Sequence, residues 1–293
     1  MSIIEKAIDK LNSGPKEGHP AETEASAAEN HAPESHATEK RESQYREINL
    51  DKLKKKNFVT PQGEYTTYAE EFRMIKRPLL DNAFYPQVKK GNLIMVTSAL
   101  PGEGKTYCTI NLAMSIAMEM DKTVLLVDAD VSKPSVLQQL GITADKGLLD
   151  LLIEKNLNPA DVFIRTNVEN LSILPSGRSH RKATELLASE AMEKLLDDMA
   201  KRYPDRIIIF DSPPLLVTTE ASVLASHMGQ IVMIISSENT PQAAFKDALS
   251  LIDSCDIVGV VLNKTAASLG KGYGYGYGYG YGYGYGYRAQ HDQ

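Results

Sequence analysis

One short stretch restricts the possible folds more than any other. Ala99-Leu-Pro-Gly102-Glu-Gly104-Lys105-Thr106 stands between the apolar run Leu93–Ser98 and a helical stretch over Thr106–Met120. A strand, a glycine loop and a helix in that order form a phosphate-binding turn. The glycines let backbone N–H groups curl around phosphate oxygens at the positive end of the helix dipole. Lys105 supplies a point charge for the β- and γ-phosphates, and Thr106 a hydroxyl where Mg²⁺ would sit. Ala99 takes the first loop position and is small enough for the turn. The residues expected around the nucleotide are Pro101, Gly102, Glu103, Gly104, Lys105, Thr106 and Tyr107. Asn263 offers an amide for the adenine edge or, equally, a turn.

The rest of the central chain repeats the strand–helix alternation. Strands are expected at Leu93–Ser98, Val124–Asp128, Leu171–Leu174, Ile207–Asp211, Ile231–Ile235 and Ile257–Leu262. Helices are expected at Tyr65–Leu80, with Pro78 near its end, and at Thr106–Met120, Thr184–Arg202 and Gln242–Asp253. Near-continuous Ile, Val and Leu runs belong to parallel strands covered on both faces. The pattern therefore calls for a doubly wound, mostly parallel α/β sheet of the P-loop NTPase kind, as one domain over residues 48–270.

Three carboxylates fall at strand ends, Asp128 and Asp130 after one strand and Asp211 after another. Ligands of open parallel sheets bind at the carboxyl ends of the strands, so all three should face the loop. Like charges gathered this closely call for a cation, and Thr106, Asp130 and Asp211 are the expected Mg²⁺ set. Asp128, first out of its strand, is the candidate base nearest the γ-phosphate. A phenol, with a pKa near 10, gives up its proton to a carboxylate more readily than water does.

Phenols are abundant at one end. Tyr273, Tyr275, Tyr277, Tyr279, Tyr281, Tyr283, Tyr285 and Tyr287 alternate with glycine, in a segment (residues 271–293) expected to be flexible. Such a tail is either an acceptor of phosphate or an adhesive low-complexity element. Residues 1–12 carry an amphipathic helical pattern through Ile3, Ile4, Ala7, Ile8 and Leu11, and residues 13–47 read as a disordered tether. The net charge of −6 argues against a dedicated nucleic-acid binder. Cys108 and Cys255 lack metal-ligand spacing and read as buried thiols in a reducing, cytoplasmic compartment. No apolar run approaches the ~20 residues of a membrane span.

Taken together, Pro101 to Lys105, Asp128 with Asp130, Asp211 with Pro213 and Pro214, and the tyrosine cluster resemble the bacterial protein-tyrosine kinase family. That family belongs to the deviant-Walker, MinD-like ATPases, and the likeness is strongest to soluble autokinases of exopolysaccharide and exosortase systems. The resemblance implies ATP and Mg²⁺ as cofactors and Lys105, Asp128 and Asp130 as catalytic residues. It implies autophosphorylation of the tail and a homo-oligomeric ring, with an octamer as one size. A further partner is the cytoplasmic segment of a membrane-embedded chain-length determinant, which would place the protein at the inner face of the membrane. Glu70, Arg73 and Lys76, with Arg77 adjacent, occupy the family's Glu-x-x-Arg-x-x-Arg ring-contact pattern. Ser132 stands where the family has Arg, with Lys133 beside it. The rival reading is a nucleotide-switched positioning ATPase of the MinD or ParA type, which carries a lysine near the position of Leu100 and needs no tail tyrosines.

Overall fold

The computed structural model describes residues 44–63, 66–154, 156–202 and 205–265. The expected N-terminal helix, nearly all of the tether and the tyrosine tail lie outside those residues. Eight strands form one sheet: β1 Gln44–Arg46, β2 Leu93–Ser98, β3 Thr123–Asp128, β4 Ile164–Thr166, β5 Leu171–Leu174, β6 Arg206–Asp211, β7 Gln230–Ser236 and β8 Val258–Asn263. Their order is β1-β4-β5-β3-β6-β2-β7-β8, and every pair is parallel except β4 with β5. The expected doubly wound sheet is therefore present. β2 lies between β6 and β7, so the phosphate loop leaves the middle of the sheet.

Side chains alternate across the pleat and divide the core in two. Leu93, Met95, Leu125, Val127, Ile208 and Phe210 face one layer. Ile94, Val96, Val124, Leu126, Ile207 and Ile209 face the other. The second layer is covered by α1 (Leu50–Lys55), α2 (Thr67–Ala83) and α3 (Lys105–Ala117). Two short helices, α4 (Val136–Leu140) and α5 (Leu148–Ile153), follow β3. The first layer is covered by α5 with α6 (Ala183–Leu187), α7 (Glu190–Arg202), α8 (Thr219–Ala225) and α9 (Gln242–Ser250). Helix α3 has 11 buried residues because it is enclosed by sheet and helices on all sides.

Several expectations need correction. The described fold already includes Gln44, inside the stretch read as tether. Gln44 Nε2 donates to the Asp161 carbonyl at 2.7 Å, and Ile48 and Asn167 exchange two hydrogen bonds. These partners lie more than a hundred residues away, so local composition carries no trace of them. β4 is likewise too short to give an apolar run. The helix expected over Thr184–Arg202 is two helices, broken at Ser189, whose Oγ accepts from the Met192 N–H and so caps α7. Helix α2 runs through Pro78 to Ala83, because Leu79 and Ala83 are anchored in the core.

Lys76 is the clearest departure. It was expected on a ring-contact surface, yet it falls on the buried face of α2 with Phe72, Leu79 and Ala83, at spacings of one helical turn. Its Nζ donates to the Ser115 carbonyl at 2.6 Å and pairs with Glu119 at 2.6 Å, pinning α2 to the end of α3. Replacing Lys76 with Ala should lower the free energy of unfolding in urea by roughly 1–3 kcal/mol, since Ser115 and Glu119 both lose their partner. Arg77→Ala, at an exposed position, should stay within about 0.5 kcal/mol.

Candidate nucleotide site

The loop after β2 takes its shape from its two glycines. Gly102 and Gly104 have φ of 80° and 96°, a region other residues enter only with strain. A Cβ on Gly104 would also stand 2.2 Å from Asn263 Nδ2. Glu103 is buried and braces the loop from inside. Its Oε2 accepts from the Leu100 N–H at 2.8 Å, and its Oε1 accepts from the Thr240 hydroxyl. From outside, Asn263 Nδ2 donates to the Glu103 carbonyl at 2.9 Å, and Lys264 Nζ donates to the Gly102 carbonyl at 2.6 Å. The Asn263 amide expected at an adenine edge is thus engaged with the loop, and its Oδ1 accepts from the Lys264 N–H. Thr240 had no sequence signal, and Lys264 none beyond standing next to a strand.

Beyond the loop, α3 opens toward a cleft of about 450 Å³, whose walls include Lys105, Thr106, Tyr107, Asp130, Ser132 and Lys133. Lys105 Nζ lies 2.7 Å from Asp130 Oδ2. The Lys133 N–H donates to Asp130 Oδ1 at 3.0 Å, so a backbone bond orients this carboxylate. Tyr107 directs its hydroxyl to the Asn57 carbonyl at 2.6 Å and packs its ring on Phe58. Pro101, Gly102 and Gly104 also reach the cleft. Glu70 and Arg73 form an ion pair on the outer part of α2 at 2.5 Å.

Below the cleft floor the other two carboxylates sit side by side. Asp128 and Asp211 are register partners at the ends of β3 and β6, exposed by 1% and 0%. Asp211 accepts from the hydroxyls of Thr106 at 2.7 Å and Thr109 at 3.0 Å, which lock α3 onto β6. Asp128 Oδ2 accepts from the backbone N–H groups of Ser135 and Val136, at the start of α4, while its Oδ1 is buried with no partner. Burial, then the neighbouring charge of Asp211, pushes the Asp128 carboxyl up to about 7. Burial raises Asp211 too, opposed by Lys105 and the two threonine hydroxyls. Asp130, not Asp128, therefore lines the cleft and meets Lys105, because the bonds to Ser135 and Val136 turn Asp128 toward α4.

These features suit a nucleotide with a divalent cation. The loop glycines, Lys105 and the free N–H groups of α3 suit phosphate, and the partnerless Asp128 oxygen marks a place where a proton or cation is wanted. Among the described residues the acids do not form a three-carboxylate cage. A cation would thus be held by Thr106 and Asp211 together with phosphate and water oxygens.

The fold and this site together define a P-loop nucleotide-binding protein of the NTPase class. Residues 91–257 match the family described as an AAA domain. Over 211 residues the chain is 30% identical to Tyrosine-protein kinase YwqD of Bacillus subtilis (strain 168), covering 71% of this chain and 86% of that protein. It is 32% identical over 216 residues to the Succinoglycan biosynthesis transport protein ExoP of Rhizobium meliloti (strain 1021), covering 70% of this chain and 26% of that one. Among solved structures, the chimerical protein CapA2B2 matches with a TM-score of 0.63 at 27% identity, over 76% of this chain and 94% of that one. The chain belongs to the bacterial tyrosine-protein kinase family.

A raised carboxyl pKa has a defined effect on stability. Between about pH 4 and 7 the unfolded chain ionises Asp128 while the folded one resists, so this group makes stability fall as pH rises through that window. Asp128→Asn keeps an oxygen for Ser135 and Val136 and removes the ionisation. The nucleotide-free variant should therefore be more stable than the parent at pH 7–8, by on the order of 2 kcal/mol, with the gap closing near pH 4. Thermal unfolding at the two pH values checks it.

Proposed function

We propose that this chain is an ATP-dependent protein-tyrosine autokinase whose acceptors are Tyr273, Tyr275, Tyr277, Tyr279, Tyr281, Tyr283, Tyr285 and Tyr287. The observation that supports this most is the Lys105–Asp130–Thr106 cleft at the phosphate loop, with the buried Asp128 carboxyl, raised to about 7, below its floor. A group poised near neutrality suits general-base work on a phenol. The phenol oxygen attacks the γ-phosphorus, the bond to the β–γ bridging oxygen breaks, and ADP departs with that electron pair. The phenol proton passes through a bridging water to Asp128, below the cleft floor. Lys105 balances charge on the β- and γ-oxygens, and the α3 N–H groups orient them. Mg²⁺, held by Thr106 and Asp211 with Asp130 alongside, would offset further phosphate charge when bound.

The tail's reach is compatible with transfer to its own domain or to a neighbour. A flexible Gly-rich coil of this length spans roughly 25–30 Å, about one domain width. Transfer in trans within a homo-oligomeric ring is the favoured arrangement, with Glu70, Arg73 and Arg77 at the contact. Lys76 no longer belongs in that set, since it is committed to the core. The activating partner would be the cytoplasmic segment of a membrane chain-length determinant, and the process exopolysaccharide synthesis, as the name of ExoP suggests. No helix among the described residues is long and apolar enough to cross a membrane. Attachment at the inner face would be through that partner. The positioning-ATPase alternative is disfavoured by Leu100, which packs against the core where a trans-acting lysine would be needed.

Intact mass of phosphatase-treated protein after ATP and Mg²⁺ should show a ladder of up to eight phosphates mapping to Tyr273–Tyr287. Lys105→Met should show none. Normal ATP hydrolysis with no additions would favour the positioning ATPase. Full phosphorylation adds about −12 to −16 charges to the tail, so the phosphorylated protein should run at a smaller mass in solution than the dephosphorylated ring. Equal masses would sink that assembly cycle.

A further inference from the structure

The two edges of the sheet are unlike. β1 is three residues long and carries Arg46. β8 is six residues, Val-Gly-Val-Val-Leu-Asn, with no charge, and its Val260 and Leu262 are 51% and 57% exposed. The carbonyls of Ile257 and Asn263 accept from Ile231 and Ser237, so the odd-numbered residues of β8 face β7. By the alternation of a parallel ladder, the amide groups of Val258, Val260 and Leu262 face away. Among the described residues nothing pairs with that edge. A free apolar edge of this kind is a template for a further strand.

A groove of about 960 Å³ runs beside the same edge, between β8 and α2. Tyr68, Phe72, Met74, Ile75, Tyr107 and Val261 wall it, with Met74 69% exposed. Thr265, where the described chain ends, also lines it. Beyond Thr265 residues 266–272 provide a connection of ordinary loop length, and the tyrosine–glycine alternation then runs from Tyr273 to Tyr287. A period of two is the period of the pleat. Extended, this segment puts every ring on one face and every glycine on the other.

We propose that the Tyr273–Tyr287 segment docks on its own domain as an added strand, antiparallel to β8, with its rings in the groove under α2. The outward amides of Val258, Val260 and Leu262 supply the backbone bonds, and the aromatic and methionine wall takes the rings. Glycine alone disfavours a strand, so the segment depends on the edge for its order. The repeat has a second effect. Sliding the tail by two residues restores every contact, so the docked state is a family of equivalent registers, and different tyrosines occupy the groove in turn. The proposal concerns binding alone and does not depend on phosphoryl transfer.

Hydrogen exchange of the dephosphorylated full chain, without nucleotide, tests it against a chain ending at Gly272 and a full-length variant with all eight tail tyrosines changed to Ser. Docking predicts that amides in Val258–Leu262 exchange about tenfold more slowly in the full chain than in either comparison protein. That protection should not change with protein concentration. Equal exchange in the full and shortened chains would overturn the proposal, as would protection retained by the serine variant, which would remove the role of the rings. Protection that grows with concentration would assign the edge to a neighbour's tail and overturn docking on the same domain.

Discussion

Two carboxylates held side by side out of water set the terms for everything around them. Asp128 and Asp211 end adjacent strands in register, and neither is more than 1% exposed. Keeping both charged there is costly unless hydrogen bonds or cations oppose the repulsion. The surroundings divide that task. Thr106 and Thr109 donate to Asp211, the α4 backbone donates to Asp128, and Lys105 stands close enough to lower the Asp211 carboxyl. What remains uncompensated is one oxygen of Asp128. The strain falls on the group that the proposed chemistry uses as a base, and a site with this imbalance favours a proton or a positive ligand.

The same contacts position the loop. Because Thr106 and Thr109 are both on α3, the bonds that satisfy Asp211 also fix the helix whose first turn faces the phosphates. Lys76 secures the other end of that helix through Ser115, so α3 is clamped at both ends. A helix held in this way presents its N–H groups without reorganising when an anion arrives, which is the condition for electrostatic preorganisation.

The central sheet was legible because parallel strands covered on both faces leave unbroken apolar runs. β2, β3, β5, β6, β7 and β8 all carried them, and the loop glycines and strand-end acids were fixed by spacing. The missed parts have physical causes. β1 and the anchoring of Ile48 depend on partners far along the chain, and β4 is only three residues long. Lys76 looked like surface charge because its burial depends on Ser115 and Glu119 being brought beneath it. The grip of Asn263 on Glu103 spans 160 positions and has no local signature. The chemistry-bearing groups were legible in the sequence, but not which of them face the cleft and which lie below its floor.

The last described residues are the ones that steady the phosphate loop. Asn263 and Lys264 hold the carbonyls of Glu103 and Gly102, and Thr265 follows directly. A displacement of the backbone at Asn263 or Lys264 therefore disturbs bonds to the loop itself. The end of the described chain and the phosphate loop thereby share one short anchor of two hydrogen bonds.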